Sequence, residues 1–260
     1  MRTYQKCCAE YGAAFFLEYF MHGLGTIVNA AAIVAGSIIG MIFKSKIQQR
    51  FQDIVMQVMG LAVIFIGASG AFSGIFTVRG DKLETGGTML MIISLTLGAL
   101  LGELINIELQ MERFGEWLKE KARSSGDSKF VEGFVTASLT VCIGAMAIVG
   151  SIEDGISGDH DMLFAKAALD FVIVMVFAAA YGKGVAFSAI PVALLQGTVT
   201  VFAGFLAPVF SDGIIADISF IGSMLIFCVG VNLSFGKKFK VGNMLPALVF
   251  PIIYGLFQGV

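Results

Sequence analysis

Apolar residues along the chain come in long uninterrupted blocks separated by short polar loops. Each block is roughly 18 to 25 residues long, which is the length of α-helix needed to cross about 30 Å of hydrocarbon. The blocks lack the alternation of apolar and polar positions that the strands of a membrane β-barrel need. The pattern therefore predicts an all-α, polytopic bundle of transmembrane helices.

Eight spans are predicted, or seven if the last segment, interrupted by Pro246 and Pro251, lies in the membrane interface. The predicted spans are residues 24–43, 53–76, 87–107, 131–150, 162–181, 185–210, 218–235 and 244–257. Residues 22–260 are expected to form a single integral membrane domain. Residues 1–21 contain an apolar patch too short to span, so they are interpreted as an N-terminal extension that is either disordered or not part of the native start.

Composition supports this class and excludes others. The chain is 57% hydrophobic and 14% charged, whereas soluble domains carry about 25% charged residues. No basic patch indicates nucleic-acid binding, and neither the four cysteines nor the two histidines form a metal-binding spacing. No nucleophile or phosphate-binding motif is present. We therefore expect a protein that is not an enzyme and has no cofactor and no metal.

Basic residues concentrate in alternate loops, which predicts the orientation of the helices. The loops after the first, third, fifth and seventh spans hold most of them: Lys44, Lys46, Arg50, Arg113, Lys119, Lys121, Arg123, Lys129, Lys183, Lys237, Lys238 and Lys240. We expect these loops in the cytoplasm and both termini outside, in the cytoplasmic (inner) membrane of a bacterium.

An internal repeat links two stretches, AGSIIGMIFKSKIQQRF ending at Phe51 and LGALLGELINIELQMERF ending at Phe114. Each carries a pair of glycines four residues apart, and each is followed by a helix with the sequence Ile-Gly-Ala. Glycines at this spacing let helix backbones approach closely. The predicted packing glycines are Gly36, Gly40, Gly98, Gly102, Gly67 and Gly144, with a substrate path lined by small residues as the alternative. A weaker third copy in spans 6 and 7 would run the opposite way, which predicts an inverted-topology relation.

Asp170 is the most unusual residue, because a carboxylate near the middle of a predicted span costs several kcal/mol unless it has a partner or a wet cavity. Lys166 lies one helical turn earlier on the same face. The pair is interpreted either as a site for coupling to a proton or cation, or as an internal ion pair that serves structure alone.

A second candidate lies in the next span, where Gln196 is also near mid-membrane depth. Pro191 and Gly197 flank it and predict a broken, unwound segment, which is tolerated where it lines a cavity. A kink for packing is the alternative. Asn29 and Asn232 are uncharged polar residues in spans 1 and 7, interpreted as substrate contacts, gates or interhelical clasps.

Four separated motifs resemble one known family: GTIVNAAAIVAGSIIG from Gly25, VMQVMGLAVIFIGA ending at Ala68, GKGVAFSAIPVALLQG from Gly182, and VGVNLSFGKKFKVGNMLPALVF from Val229. They are similar to the bacterial YdfK/YqgA-type inner-membrane family, the domain of unknown function 554. The resemblance covers about residues 23–257 and implies a cytoplasmic-membrane protein with a general assignment to transport. It implies no substrate.

Taken together, these features predict a secondary transporter or permease for a small solute or ion, with the lipid bilayer as its surroundings and a homodimer allowed by the glycine faces. The alternatives are a channel and a non-transporting scaffold or accessory protein. A water-filled cavity reaching Asp170 would favour transport, whereas closed packing of Asp170 beside Lys166 would favour the scaffold.

Overall fold

The structure, a computed structural model, describes residues 22–44, 49–79, 82–124 and 126–258. Its α-helices are α1 (Leu24–Lys44), α2 (Gln49–Ile75), α3 (Thr88–Ile105), α4 (Ile107–Lys121), α5 (Phe130–Cys142), α6 (Ala145–Ile156), α7 (Asp161–Tyr181), α8 (Ala189–Val201), α9 (Ala203–Leu206), α10 (Asp212–Phe235), α11 (Val241–Met244) and α12 (Val249–Gln258). Short 3-10 helices at Lys183–Ser188 and Leu245–Leu248 lead into α8 and α12. The predicted all-α polytopic bundle is confirmed.

Among the described residues, six helical segments are long and apolar enough to cross a membrane. They are Leu24–Phe43, Met56–Ile75, Thr88–Ile105, Asp161–Tyr181, Lys183–Val201 and Asp212–Phe235. A seventh candidate is the pair α5 and α6, which is bent by 63°. The last predicted span is a shorter apolar segment, Val241–Phe257, divided into three helical pieces. The alternative of seven spans therefore agrees with the structure, and the count of eight exceeds it by this segment.

The break in backbone lies in a different span from the one predicted. Pro191 is the third residue of α8, where its missing N–H would have no intrahelical partner in any case, so the helix continues through Gly197 to Val201. The unwound segment predicted from Pro191 to Gly197 is therefore wrong. The observed break is at Ile143 and Gly144, between α5 and α6. Gly144 has φ 146° and ψ 146°, a conformation that residues with a Cβ rarely adopt.

Two close helix pairs form the frame of the bundle. α1 packs closely along α7, and glycine makes this approach possible, because a Cβ at Gly36 or Gly40 would collide with the α7 backbone at Phe171 or Met175. α2 packs along α10, where Gly67 faces the backbone of Phe227.

A short β-hairpin and an apolar outer surface complete the described fold. Strands β1 (Phe76–Arg79) and β2 (Lys82–Thr85) form an antiparallel hairpin between α2 and α3 with Phe76 opposite Thr85.

Large apolar side chains are left on the outside, among them Leu104, Phe205 and Phe257, each more than 80% exposed. An exposed apolar surface of this kind is what a helix presents to lipid. The predicted extension, with Cys7 and Cys8, lies outside the described residues.

Candidate functional site

Four polar side chains meet in the middle of the bundle, and we call them the central cluster: Asn29, Lys166, Asp170 and Gln196. Asp170 lies midway along α7, about 14 Å from its first residue at 1.5 Å per residue. Lys166 Nζ donates to Asp170 Oδ2 at 2.7 Å, and Asn29 Nδ2 donates to the same oxygen at 3.0 Å. Asn29 Nδ2 also donates to Gln196 Oε1 at 3.3 Å. Asn29 and Gln196 are fully buried, and Asp170 is 3% exposed.

The hydrogen-bonding chain fixes the orientation of both amides. A carboxylate oxygen bonded to the Lys166 ammonium accepts only, so Asn29 must turn its NH2 group toward it. Gln196 must in turn present its oxygen to that NH2 group. This arrangement leaves Asn29 Oδ1 and Gln196 Nε2 buried with no hydrogen-bonding partner in the protein. The cluster therefore retains one free acceptor and one free donor beside its ion pair.

The backbone break is part of the same site. In an unbroken helix the N–H of Ala145 would bond to the carbonyl of Val141. Here Lys166 Nζ donates to that carbonyl at 2.8 Å. Non-helical backbone at membrane depth is tolerated where it is buried in protein or lines a cavity. One ammonium thus connects the end of α5 to the carboxylate of α7.

Three of the sequence-predicted candidates lie outside the central cluster. Pro191 and Gly197 are in regular helix, and a Cβ added to Gly197 would meet no atom within 4 Å. Asn232 lies at the far end of α10. Its Oδ1 accepts from the backbone N–H groups of Lys238 and Phe239 at 2.8 and 2.9 Å, and its Nδ2 donates to the Phe239 carbonyl at 2.8 Å. Asn232 therefore holds the loop 236–240 and does not contact the cluster.

A cavity of about 390 Å³, which we call the vestibule, opens at the end of the bundle that carries the loop 236–240, here termed the lysine side. Its polar lining includes Glu108, Glu112, Glu132, Thr136 and Asn232. The vestibule also reaches Leu139 on α5, two residues before the carbonyl that Lys166 holds. It therefore approaches the backbone break to within about one helical turn.

Lys237 sits at the mouth of the vestibule between two carboxylates, at 2.6 Å from Glu108 and 2.8 Å from Glu112. Burial by itself lowers the pKa of Lys237, but its hydrogen bonds to Glu108 and Glu112 outweigh this and raise the pKa overall. The lysine stays charged, and it neutralises part of the acidic lining.

A second polar group lies at the opposite end, which we term the histidine side because His22 and His160 are there. His160 Nδ1 lies 2.6 Å from Asp154 Oδ1, and His22 Nδ1 lies 3.0 Å from the Asp154 backbone oxygen. Asp154 is fully buried although it falls in a stretch expected to be a loop. The reason is that α6 continues to Ile156 and carries this carboxylate inward.

Sequence reasoning missed Asp154, His160 and the break at Gly144. For Asp154 a signal existed, since Ala147, Ser151 and Asp154 share one helical face, and Ser151 is also fully buried. For Gly144 the apolar run on both sides hid the break. Gly144 was predicted to be a packing glycine, and this is wrong, because a Cβ added there would meet no atom within 4 Å. The other predicted packing glycines do face neighbouring helices: a Cβ at Gly98 or Gly102 would collide with the backbone of Ala247 or Asn243.

Comparison with known proteins shows the family to which the chain belongs. Residues 24–256 match the family described as "Protein of unknown function (DUF554)". The chain belongs to this family. It is 36% identical over 227 residues to the "Uncharacterized membrane protein YdfK" of Bacillus subtilis (strain 168), covering 87% of this chain and 93% of the relative.

A second relative, the "Uncharacterized protein YqgA" of Escherichia coli (strain K12), is 27% identical over 230 residues, with 87% and 93% covered. No solved structure matches the chain. The resemblance inferred from the four motifs is therefore confirmed, and one of the two relatives is named as a membrane protein.

Proposed function

We propose that this DUF554 protein is a secondary transporter that moves a small solute across the bacterial cytoplasmic membrane, coupled to a proton or cation through Asp170. The observation that carries the proposal is the contact between a buried ion pair and a broken helix at mid-membrane depth. Ionisable residues at this depth are costly and mark ion or substrate pathways. Secondary transporters bind substrates near the midplane beside discontinuous helices.

The vestibule supports the same proposal. It offers access from the lysine side to within about one turn of the break, and its lining residues include none of the central cluster. In alternating access a binding site is closed to at least one side at any time. With the basic loops in the cytoplasm, as the distribution of Lys and Arg favours, the vestibule would open inward.

A scaffold or accessory role is the second candidate, and one observation favours it. Asp170 is 3% exposed and paired with Lys166, which is the closed arrangement expected of an ion pair that only joins helices. Buried pairs of this kind are often neutral in stability relative to apolar replacements. A function test therefore has to separate loss of transport from loss of folding.

The test begins with purified protein screened by thermal shift against libraries of metabolites and inorganic ions. Compounds that stabilise the protein are then offered to proteoliposomes under an inward proton gradient. Wild type should accumulate a hit compound, Asp170→Asn should lose gradient-driven accumulation, and Asp217→Asn, an acid on α10 outside the central cluster, should retain it.

Two results would contradict the proposal. Equal, gradient-sensitive uptake by wild type and Asp170→Asn would remove Asp170 from the mechanism. Absence of uptake for every stabilising compound, with folding intact, would favour the scaffold.

A further inference from the structure

Buried polar atoms without protein partners are concentrated on one side of the central cluster. In the described part of the chain, ten buried side-chain nitrogen or oxygen atoms have no hydrogen-bonding partner. Six of them belong to residues between the central cluster and the histidine side: Thr26, Asn29, Asp154, His160, Gln196 and Thr200. The other four are hydroxyls of single serines. An unsatisfied buried polar group destabilises the folded protein, so six along one route require a physical explanation.

These residues form successive levels between two antiparallel helices. Asn29 on α1 bonds to Gln196 on α8, and Thr26 and Thr200 lie one turn further toward the histidine side on the same two helices. The separation between the two levels is about 5–6 Å along the helices. Thr26 and Thr200 are 7% and 8% exposed. One or two hydrogen-bonded waters would bridge such a separation and satisfy the free atoms.

The next level is the pair of Asp154 and His160. Gly155 packs against the backbone of Thr200, which places the end of α6 directly beside the second level. Asp154 Oδ2 and His160 Nε2 are the free atoms of this pair. His22, four residues before Thr26, closes the same corner by contacting the Asp154 carbonyl. The pair thus stands between the threonines and the surface.

We infer that a hydrated polar pathway, lined by Thr26, Thr200, Asn29 and Gln196 and closed by the Asp154–His160 pair, leads from the histidine side to Asp170 and carries a proton. This inference rests on the proposed function and names the coupled ion. A proton needs only a chain of hydrogen-bonded groups, whereas a larger solute would need the helices to separate. Titratable groups stand at both ends of the route, and waters hydrogen-bonded to the hydroxyls and amides between them relay the proton.

The charged groups near this route are few. The pair itself comprises Asp154 and His160, with His22 beside it and the Phe164 ring against His160. Glu153, Asp159 and Asp161 are the acids next to the pair in the sequence. At the inner end the charged groups are Asp170 and Lys166 of the central cluster.

The first test measures hydration and does not depend on transport. In a full-length background with Cys7, Cys8, Cys142 and Cys228 replaced by alanine, single variants Thr26→Cys, Thr200→Cys and Ser37→Cys are placed in nanodiscs. Ser37 is the control, because like Thr26 it is a buried α1 residue with an unpartnered hydroxyl, but it lies on the other side of the cluster. Silver ion, which binds thiols strongly, is added, and the protected fraction is read by maleimide labelling after denaturation.

Silver should protect Thr26→Cys and Thr200→Cys at least about tenfold faster than Ser37→Cys, since a thiol in dry apolar surroundings is inert. Adding His160→Ala should raise the rate at position 200 and leave that at position 37 unchanged. Equal inertness at all three positions would overturn the pathway.

The second test measures the proton itself. Proteoliposomes containing a pH-sensitive dye are driven by a potassium diffusion potential, and Thr26→Val and Thr200→Val are compared with Ser37→Ala. The two valine variants should lower proton flux at least tenfold, and Ser37→Ala should not. Fast silver access without any solute or proton flux would confirm that the route is hydrated but refute both its role in carrying a proton and the proposed function. Flux that depends on Asp170 but not on either threonine would refute the pathway.

Discussion

The Lys166–Asp170 pair permits a prediction in which single substitutions destabilise the protein more than the double substitution does. Lys166→Met removes the ammonium from Asp170 and also from the Val141 carbonyl. Asp170, which is 3% exposed, then retains only the hydrogen bond from Asn29 for its charge. Removing one partner of a buried pair costs about 3–5 kcal/mol, because the remaining charge is uncompensated.

The other two variants complete the comparison. Asp170→Asn keeps an oxygen that accepts from Lys166 and Asn29, so it should cost less, about 1.5–3 kcal/mol for the weakened charge-assisted bonds. The double variant Lys166→Met/Asp170→Leu removes both charges and fills similar volume. It should be within about 1–2 kcal/mol of wild type, on either side.

The measurement is unfolding in detergent micelles at fixed temperature, followed by helical circular dichroism, for wild type, these three variants and the single variant Asp170→Leu. A double-mutant cycle with Lys166→Met, Asp170→Leu and their combination isolates the interaction, which we expect to be at least about 2 kcal/mol in magnitude. Additive effects would show that the two side chains do not form a buried pair, and the central cluster as described would be wrong. A stable double variant also supplies a folded protein for the transport assay, where the proposed transporter should be inactive.

Two further predictions concern glycines. Gly40→Ala should destabilise the protein by about 1–3 kcal/mol, because its methyl group would collide with the Met175 carbonyl on α7. Gly197→Ala lies in regular helix with open space around it and should stabilise the protein by up to about 1 kcal/mol. Equal shifts of the melting temperature for the two variants would contradict the close approach of α1 and α7. Gly144→Ala should cost about 1–3 kcal/mol from backbone strain alone, since its φ is 146° and no atom lies within 4 Å of the added Cβ. An unchanged melting temperature for Gly144→Ala would show that α5 and α6 form one continuous helix.

Several features of the fold followed from the order of residues because they depend on local composition. The length of each apolar block gives a helix long enough to span the bilayer. The bounds of α1 and α7 and the end of α10 therefore lie within one residue of the prediction, whereas α10 begins at Asp212, six residues earlier than predicted. The pairing of Lys166 with Asp170 also follows, since residues four apart share a helical face. The glycines at four-residue spacing predicted close packing but not which helix would be the neighbour.

Other features required the tertiary structure, because they depend on residues distant in sequence. Asn29 and Gln196 are 167 positions apart, and only the packing of α1 against α7 and α8 brings Asn29 to the carboxylate and Gln196 to Asn29. The break at Gly144 leaves the Val141 carbonyl without its helical partner, and Lys166 on another helix donates a hydrogen bond to that carbonyl. Pro191 shows the converse, because a residue that breaks a helix interior is harmless in a first turn. Sequence alone determined which segments are apolar and long enough to span a membrane, apart from the last one, and the tertiary structure decided which polar groups meet between them, since a buried charge is stabilised only by the partners that the fold supplies.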